Sequence, residues 1–446
     1  MREGSLEAPT RHVLDWNNPD FTDAAKLDAE MRRVFDICHT CRRCFNLCDS
    51  FPRLFDLIDN SESGELDAVK SDALGAVVDA CTLCDMCFMT KCPYVPPHPF
   101  NVDFPHLMLR ARAADLARGK SDFTANQLSK TDRNGRLAAA AAPLVNWGSD
   151  VDNGLTRPAL EKVAGIDRRA ALPKFVGRTF ALRAKTAPPP RAADAPANKR
   201  RAAIFATCFV NYNNPRIGEA LMAVLAKNGV QTDVVYPGCC GMPMLERGDL
   251  AKVAAGARKT AAELVTWIDR GYDIVAPIPS CALMLKFEWP LIVPDDANVK
   301  RVAQATFDGT EYLVDIAKKE GLAPGLKPLP GGVTVHLACH ARAQNMGMKA
   351  AELLRLVPDS DVAVIERCSG HGGSWGVLKA NFDTALKVGR PVANQAVKNE
   401  KMFVASECPL AAAHILQGME RVDAAKTPPE SFHPIELFAR AYGVLP

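Results

Sequence analysis

No apolar run in the 446 residues approaches the roughly 20 needed to cross a bilayer, so a membrane-spanning helix is not expected. The polar, acidic stretch from Met1 to Phe35 has no apolar core followed by a small-residue cleavage site, which argues against a secretory leader and for reduced thiols in the cytoplasm. Charge of either sign is scarce in excess: 54 Lys and Arg stand against 51 Asp and Glu, and no basic block stands out, so nucleic acid is not an expected partner. Neither G-x-G-x-x-G nor a lysine-bearing phosphate loop is present, and the glycine-rich stretch Glu366-Arg-Cys-Ser-Gly-His-Gly-Gly-Ser-Trp-Gly376 fits neither spacing. A nucleotide or flavin site is therefore not expected in this chain.

Cysteine is what the chain has, at 15 residues. The stretch Cys81-Thr-Leu-Cys-Asp-Met-Cys-Phe-Met-Thr-Lys-Cys-Pro93 is echoed by Cys38-His-Thr-Cys-Arg-Arg-Cys-Phe-Asn-Leu-Cys48. Three thiolates at C-x-x-C-x-x-C wrap one corner of a cubane, and the fourth cysteine closes the neighbouring cluster. By this crossed rule Cys38, Cys41 and Cys44 pair with Cys92, while Cys81, Cys84 and Cys87 pair with Cys48. Structural zinc needs only C-x-x-C pairs, so the third cysteine of each triplet and the Cys92-Pro93 dipeptide favour two [4Fe-4S] clusters. Two departures alter loop geometry without removing a ligand: Cys48 lacks a following proline, and four residues rather than three separate Cys87 from Cys92. Arg42 and Arg43 beside the first triplet either offset cluster charge, raising its potential, or are ordinary solvated arginines.

Helical periodicity over Met31–Ile37, Leu66–Ala80 and Phe104–Arg118, with a proline-rich extended strap over 93–100, predicts a helical two-cluster ferredoxin-like module over residues 1–120. Residues 121–200 read as Ala-rich helices ending in a Pro/Ala-rich linker at 187–200. The stretch Lys174–Lys185 mixes basic and apolar residues and suits either a solvated helix end or a membrane surface.

From residue 201 short β-rich runs alternate with helices: 202–207, 231–236, 272–278, 333–337, 361–366 and 401–406. They lead respectively into Cys208, Cys239 with Cys240, Cys281, Cys339, Cys368 and Cys408. Cys339 follows Cys208 by 131 residues, Cys368 follows Cys239 by 129 and Cys408 follows Cys281 by 127, which marks an internal duplication over 201–325 and 326–446. Alternation of strand and helix predicts parallel sheets, with the cysteines at the carboxyl ends of the strands where such sheets bind ligands. The first repeat offers four thiolates. The second offers three, because Ser369 stands where Cys240 stands in the first, so its fourth ligand must be borrowed or its site differs. His340 and His371 are candidate ligands, proton donors or hydrogen-bonded core residues. A catalytic low-pKa thiolate is the competing use of these cysteines, but seven matched positions suit a cage better than one nucleophile. No catalytic or organic-cofactor-binding residue is assigned.

The pieces Pro237-Gly-Cys-Cys-Gly-Met-Pro243, Pro279-Ser-Cys-Ala-Leu-Met-Leu-Lys286, Ala338-Cys-His-Ala-Arg-Ala-Gln-Asn345 and Glu366-Arg-Cys-Ser-Gly-His-Gly-Gly373, behind two cubane motifs, resemble the cysteine-rich (CCG-domain) heterodisulfide reductase family, in particular its branch of iron–sulfur components of anaerobic glycerol-3-phosphate dehydrogenases. The resemblance implies a multi-domain α plus α/β chain whose duplicated CCG domain holds one or two further iron–sulfur clusters, noncubane in some members. It also implies an electron-transfer subunit between a partner such as a flavoprotein dehydrogenase and a quinone or membrane-anchored acceptor, placed in the cytoplasm or at the inner membrane face. The alternative is a disulfide or persulfide reductase. Cys281 is followed by Ala, Leu and Met and Cys408 by Pro, Leu and Ala, so the Cys-x-x-Cys of the disulfide-reducing members is missing; with Ser369 this favours plain electron transfer.

Overall fold

The computed structural model describes residues 9–120 and 122–445; the first eight residues of the polar lead-in lie outside the described residues. Two parallel sheets organise the C-terminal half. The first contains β1 (Arg201–Phe205), β2 (Gln231–Val235), β3 (Asp273–Ala276) and β4 (Thr306–Asp308) in the order β2-β1-β3-β4. The second contains β5 (Val333–His336), β6 (Val362–Ile365) and β7 (Phe403–Ser406) in the order β6-β5-β7. In both, the first strand lies between the second and the third, and every pairing is parallel. Central β1 is apolar on both faces, Ala202 to Phe205 being fully buried, as a strand covered by crossover helices requires. The helices Pro215–Lys227 and Leu250–Ile268 make the crossovers of the first sheet, and Lys349–Arg355 and Phe382–Asn399 those of the second.

All six expected strand runs form strands. β4 was not expected: three residues between helix Ala297–Ala305 and a capping box formed by Asp308 and Glu311 are too short to show a period of two.

The N-terminal region is helical. Helix Ala24–Cys41, capped by the Asp23 side chain on the Lys26 N–H, packs Val34 and Phe35 against helices Ser50–Asp59 and Phe104–Ala117. The single helix expected over 66–80 is instead three short turns, Leu66–Ala68, Ser71–Leu74 and Gly75–Ala80, because Val69 and Lys70 take extended backbone between them. Prolines hold 93–100 out of helix, as expected.

One apolar core runs from Leu14 through these three N-terminal helices and the first sheet to Leu437 and Tyr442. Arg11 ties three segments together, reaching Asp85 at 2.7 Å, Asp103 at 2.9 Å and Glu288 at 3.2 Å. Alongside it, the Leu14 N–H donates to the Leu291 carbonyl at 2.9 Å and the Trp16 indole to the Ile292 carbonyl at 2.8 Å. Gly248 lies where helix Phe104–Ala117 meets the first repeat, and a Cβ there would stand 2.4 Å from the Ala113 nitrogen.

Residues 122–200 wrap this body. Ile166 bridges Leu378, and Ala192 and Ala197 donate to the carbonyls of Ala226 and Asn228, laying the Pro/Ala-rich stretch against the end of helix Pro215–Lys227. Within the basic and apolar stretch 174–185, Phe180 is buried and Leu182 is exposed. No helix among the described residues is long and apolar enough to cross a membrane.

Candidate metal centres

Cys38 and Cys41 occupy the last turn of helix Ala24–Cys41, which Arg42 ends in left-handed backbone at φ 50°. The chain then turns back through Cys44 to Cys48. The other motif leaves helix Gly75–Ala80 at Cys81, bends at Leu83 (φ 49°) and Asp85 (φ 63°), and enters the short helix Cys87–Lys91 before Cys92. These bends bring the two motifs together in crossed fashion. The Cys38 thiol is pushed well up by burial and then by Cys92, Cys44 and Cys41, and burial with Cys92 and Cys41 pushes Cys44 up to about 12. Cys38, Cys41, Cys44 and Cys92 line one small hollow with Phe51 and Tyr94. Cys48 is raised by burial, then Cys84 and Cys81, and Cys87 by burial, then Cys84 and Cys81.

A thiol raised by burial and by other thiols is costly to ionise unless a cation shares its charge. Two tetrads of soft sulfur donors at this spacing fit iron–sulfur clusters. Among the described residues no group of His, Cys, Asp or Glu side chains is arranged as a cage for one metal ion. Thiolates of a cubane each cap a different iron and need not converge on one point.

Arg43 and Lys91 both act on the Cys44 thiol. Arg42 does not join them: it pairs with Asp59 and lies over the Phe55 ring, 5.1 Å from its centroid.

The first-repeat cysteines sit at the carboxyl ends of β1, β2 and β3. Cys208 opens helix Cys208–Tyr212 behind Thr207, whose φ of 50° turns the chain off β1. Cys239 and Cys240 follow β2 between Gly238 (φ 157°) and Gly241 (φ 93°), and Cys281 lies in helix Pro279–Leu283 after β3. The Cys208 and Cys239 sulfurs are 3.9 Å apart, and the Gly241 N–H donates to Cys239 Sγ at 3.5 Å. Cys208, Cys240, Thr131 and the Gly241 amide lower the pKa of Cys239 against burial, while Cys240 is raised by Cys239, Cys281 and burial. The Trp289 indole holds the Cys240 carbonyl at 2.9 Å.

Two residues outside the repeats complete this site. Thr131 faces the Cys208 and Cys239 sulfurs, and the Asp132 carboxylate accepts from the Tyr236 hydroxyl and, at 3.0 Å, from the Cys239 N–H. Sequence reading missed both. A Thr-Asp pair opening helix Thr131–Ala140 signals a helix start and nothing more.

Cys339, Cys368 and Cys408 follow β5, β6 and β7 in the same way. Cys339 is raised by contact with Cys368 and with Cys84, and Cys368 in turn acts on Cys48. The second repeat thus places two thiols against the tetrad of Cys48, Cys81, Cys84 and Cys87. Cys368 is pushed down to about 7 by neighbouring Cys339 first, against burial, and by the Gly370 N–H, which donates to its sulfur at 3.4 Å. Cys408 is raised by burial, with Glu407 and Glu246 as its acidic neighbours. Burial lifts Glu407 to about 8 although its carboxyl accepts from the Ala338 N–H at 2.9 Å, and lifts Glu246 to about 7.

His340 is held rather than free. Its Nδ1 meets Ser280 Oγ at 2.8 Å and its Nε2 the Leu83 carbonyl at 3.3 Å, so one half-buried ring joins the loops of Cys281, Cys84 and Cys339. His371, on the loop of Cys368, has a buried Nε2 without a hydrogen-bond partner.

A family model described as a cysteine-rich domain (CCG) matches residues 202–286. The chain is 29% identical over 311 residues to the C component of the anaerobic glycerol-3-phosphate dehydrogenase of Escherichia coli (strain K12), covering 66% of this chain and 74% of the relative. It is 32% identical over 192 residues to lactate utilization protein A of Geobacillus kaustophilus (strain HTA426), covering 40% of this chain and 74% of the relative. It is 28% identical over 227 residues to the B component of the fumarate reductase (CoM/CoB) of Methanothermobacter marburgensis, covering 50% of this chain and 42% of the relative.

Proposed function

We propose, from the premise that this chain belongs to the CCG cysteine-rich-domain family of iron–sulfur oxidoreductase components, that it is an electron-transfer subunit whose clusters relay electrons between a partner dehydrogenase and a separate acceptor. The observation that carries the reading is the sequence of contacts between thiol sets: Cys44 acts on Cys87, Cys84 touches Cys339, and the loops of Cys84, Cys281 and Cys339 meet on His340. Cys38, Cys41, Cys44 and Cys92 would hold one [4Fe-4S] cluster of a ferredoxin-like module at residues 1–120, and Cys48, Cys81, Cys84 and Cys87 the other. Cys208, Cys239, Cys240 and Cys281 of the first repeat, 201–325, would hold a further cluster. Cys339, Cys368 and Cys408 of the second, 326–446, would supply three ligands of another.

One-electron carriers at neighbouring sites are what such clusters contribute; the chain contributes burial, backbone N–H groups on the sulfurs and the Asp132 carboxylate, which tune potentials. Substrate oxidation belongs to the partner, for which a flavoprotein dehydrogenase is the best candidate, and a quinone or membrane-anchored protein is the acceptor. This places the subunit in the cytoplasm or peripherally at the inner face of the membrane.

Anaerobic purification with whatever co-elutes, followed by iron and acid-labile sulfide analysis and EPR, tests the reading. Signals beyond two cubanes are expected. Zinc in place of iron would overturn it, and two cubanes without a further signal would remove the clusters assigned to both repeats.

One observation favours a second reading. Cys339 and Cys368 each shift the other's pKa and Cys84 also acts on Cys339, so two thiols stand near a cysteine of the N-terminal tetrad, as passing electrons from a cluster to sulfur would need. Reduced protein that consumes a heterodisulfide without a partner would establish that reading over the relay.

A further inference from the structure

The second repeat presents three thiols where the first presents four, because Ser369 stands in the place of Cys240. A cluster there needs one more donor, and most side chains near its loops are engaged or turned away. The Glu407 carboxyl accepts from the Ala338 N–H at 2.9 Å. His340 uses both ring nitrogens, on Ser280 and on the Leu83 carbonyl. His371 faces the ring of His414, 5.9 Å between centroids, and its Nε2 is buried. Ser369 offers a neutral hydroxyl in place of a thiolate.

Glu246 is not engaged. It follows the short helix Met242–Leu245, just after the Cys239, Cys240, Gly241 turn of the first repeat, and among the described residues its carboxylate accepts no hydrogen bond and joins no salt bridge. Arg112 is the cation that acts on it, through space, while that guanidinium donates to the carbonyls of Val78, Cys81 and Glu246 itself. Both carboxylate oxygens lie against the loop of Cys368: a Cβ on Gly373 would stand 3.0 Å from Oε1 and 3.2 Å from Oε2. Any side chain at that position would push the carboxylate away. One residue earlier, a Cβ on Gly372 would stand 2.5 Å from the methyl of Thr82, the neighbour of Cys81. Glu246 is also, with Glu407, an acidic neighbour of the Cys408 thiol. The carboxylate therefore stands where the loops of Cys81, Cys368 and Cys408 come together, covered only in part. Taking a carboxylate out of bulk water without a partner is costly, so an unpaired one deep in the molecule marks a place where a cation is held.

We propose that Glu246 of the first repeat supplies the fourth ligand of the iron–sulfur cluster that Cys339, Cys368 and Cys408 of the second would hold. The proposal rests on the relay reading above and deepens it, since the donor missing from one repeat comes from the other. A non-thiolate ligand is compatible with such a cluster: in Rieske centres two histidines replace two cysteines on one iron and raise the potential. A carboxylate likewise donates less charge to iron than a thiolate, so the potential of this cluster is raised relative to an all-thiolate set.

The test is EPR of the full chain, loaded anaerobically with ferrous iron and sulfide, the second-repeat signal being the one that Cys408→Ser removes. In Glu246→Ala that cluster should lose one iron and give, when oxidised, the signal of a three-iron cluster, with both cubane signals unchanged. Glu246→Cys should keep all four irons at a lower midpoint potential, and Ser369→Ala should match wild type. A second-repeat signal identical in wild type and Glu246→Ala, or one that Ser369→Ala converts to three irons, overturns the proposal. So does the absence of any signal that Cys408→Ser removes. Should Glu246→Ala fail to fold, pulsed ENDOR on Glu407→Gln protein grown with carboxyl-labelled glutamate decides: carbon hyperfine coupling to the second-repeat signal is expected, and none overturns it. Normal cubane signals with a second-repeat signal indifferent to Glu246 would sink this inference alone, whereas protein without iron would sink the relay.

Discussion

Ser280 and His340 meet at 2.8 Å, hydroxyl to imidazole, and each is the chain neighbour of a cysteine: Ser280 precedes Cys281 in the first repeat and His340 follows Cys339 in the second. The same ring reaches the Leu83 carbonyl beside Cys84, so the loops of three thiol sets share one half-buried side chain. Replacing it would leave a hydroxyl and a carbonyl without their partner at the centre of the molecule.

The crossed arrangement of the N-terminal cysteines makes a prediction about which losses go together. Cys92→Ser should remove the EPR signal that Cys38→Ser removes, and Cys48→Ser the one that Cys81→Ser removes. If Cys92→Ser instead removes the signal lost in Cys81→Ser, each motif closes its own cluster and the crossing is wrong.

Asp132 places a carboxylate on the Cys239 N–H and the Tyr236 hydroxyl. Asp132→Asn removes a negative charge next to the first-repeat sulfurs, which favours the reduced, more negative state of a cluster there, so its midpoint potential should rise in an EPR-monitored titration. Asp132→Ala also strands the tyrosine hydroxyl and should cost about 1 kcal/mol in a urea-unfolding measurement.

His106 carries a pH dependence. Burial opposes charge on its ring, but Asp103, with Nδ1 at 3.3 Å, and Glu288, with Nε2 at 3.2 Å, outweigh both burial and Arg11 and raise its pKa above 6.5. A raised histidine pKa contributes stability that is fully present below the unfolded value and disappears as pH rises through the folded one. Urea midpoints should therefore fall as pH is raised from about 6.5, and His106→Gln should flatten that slope. Asp103 and Glu288, both lowered, act in the opposite window, on acidification.

Gly389 lies inside helix Phe382–Asn399, where a Cβ would stand 2.2 Å from the Ser369 carbonyl. Gly389→Ala should displace the loop of Cys368 and cost about 1–3 kcal/mol, seen as a lower urea midpoint and faster thiol labelling of Cys368. Gly256, in helix Leu250–Ile268 with open space around it, is the control: Gly256→Ala should stabilise by about 0.5–1 kcal/mol.

Much of this molecule was readable from local spacing. The two C-x-x-C-x-x-C motifs are short enough for residue type and interval alone to define a loop, and six strands announced themselves because each runs into a cysteine. β4 has three residues and no such marker. Thr131 and Asp132 were invisible for another reason: they meet Cys239 across more than a hundred residues, and contacts at that range leave no periodic trace. The meeting of Cys84 with Cys339 was hidden in the same way. The length of the chain between them says nothing about their separation in space. The Pro/Ala-rich stretch at 187–200 has the composition of a free tether, yet its backbone N–H groups find carbonyls on the first repeat, which composition could not foretell.

The continuous core and the triple grip of Arg11 have a kinetic consequence. On the proposed relay, sites embedded in one packed body would keep their separations while electrons passed between them, so no hinge would have to open or close for a hop to occur. Internal transfer would then be indifferent to solvent viscosity, and any viscosity dependence of turnover would report the encounter with partner or acceptor.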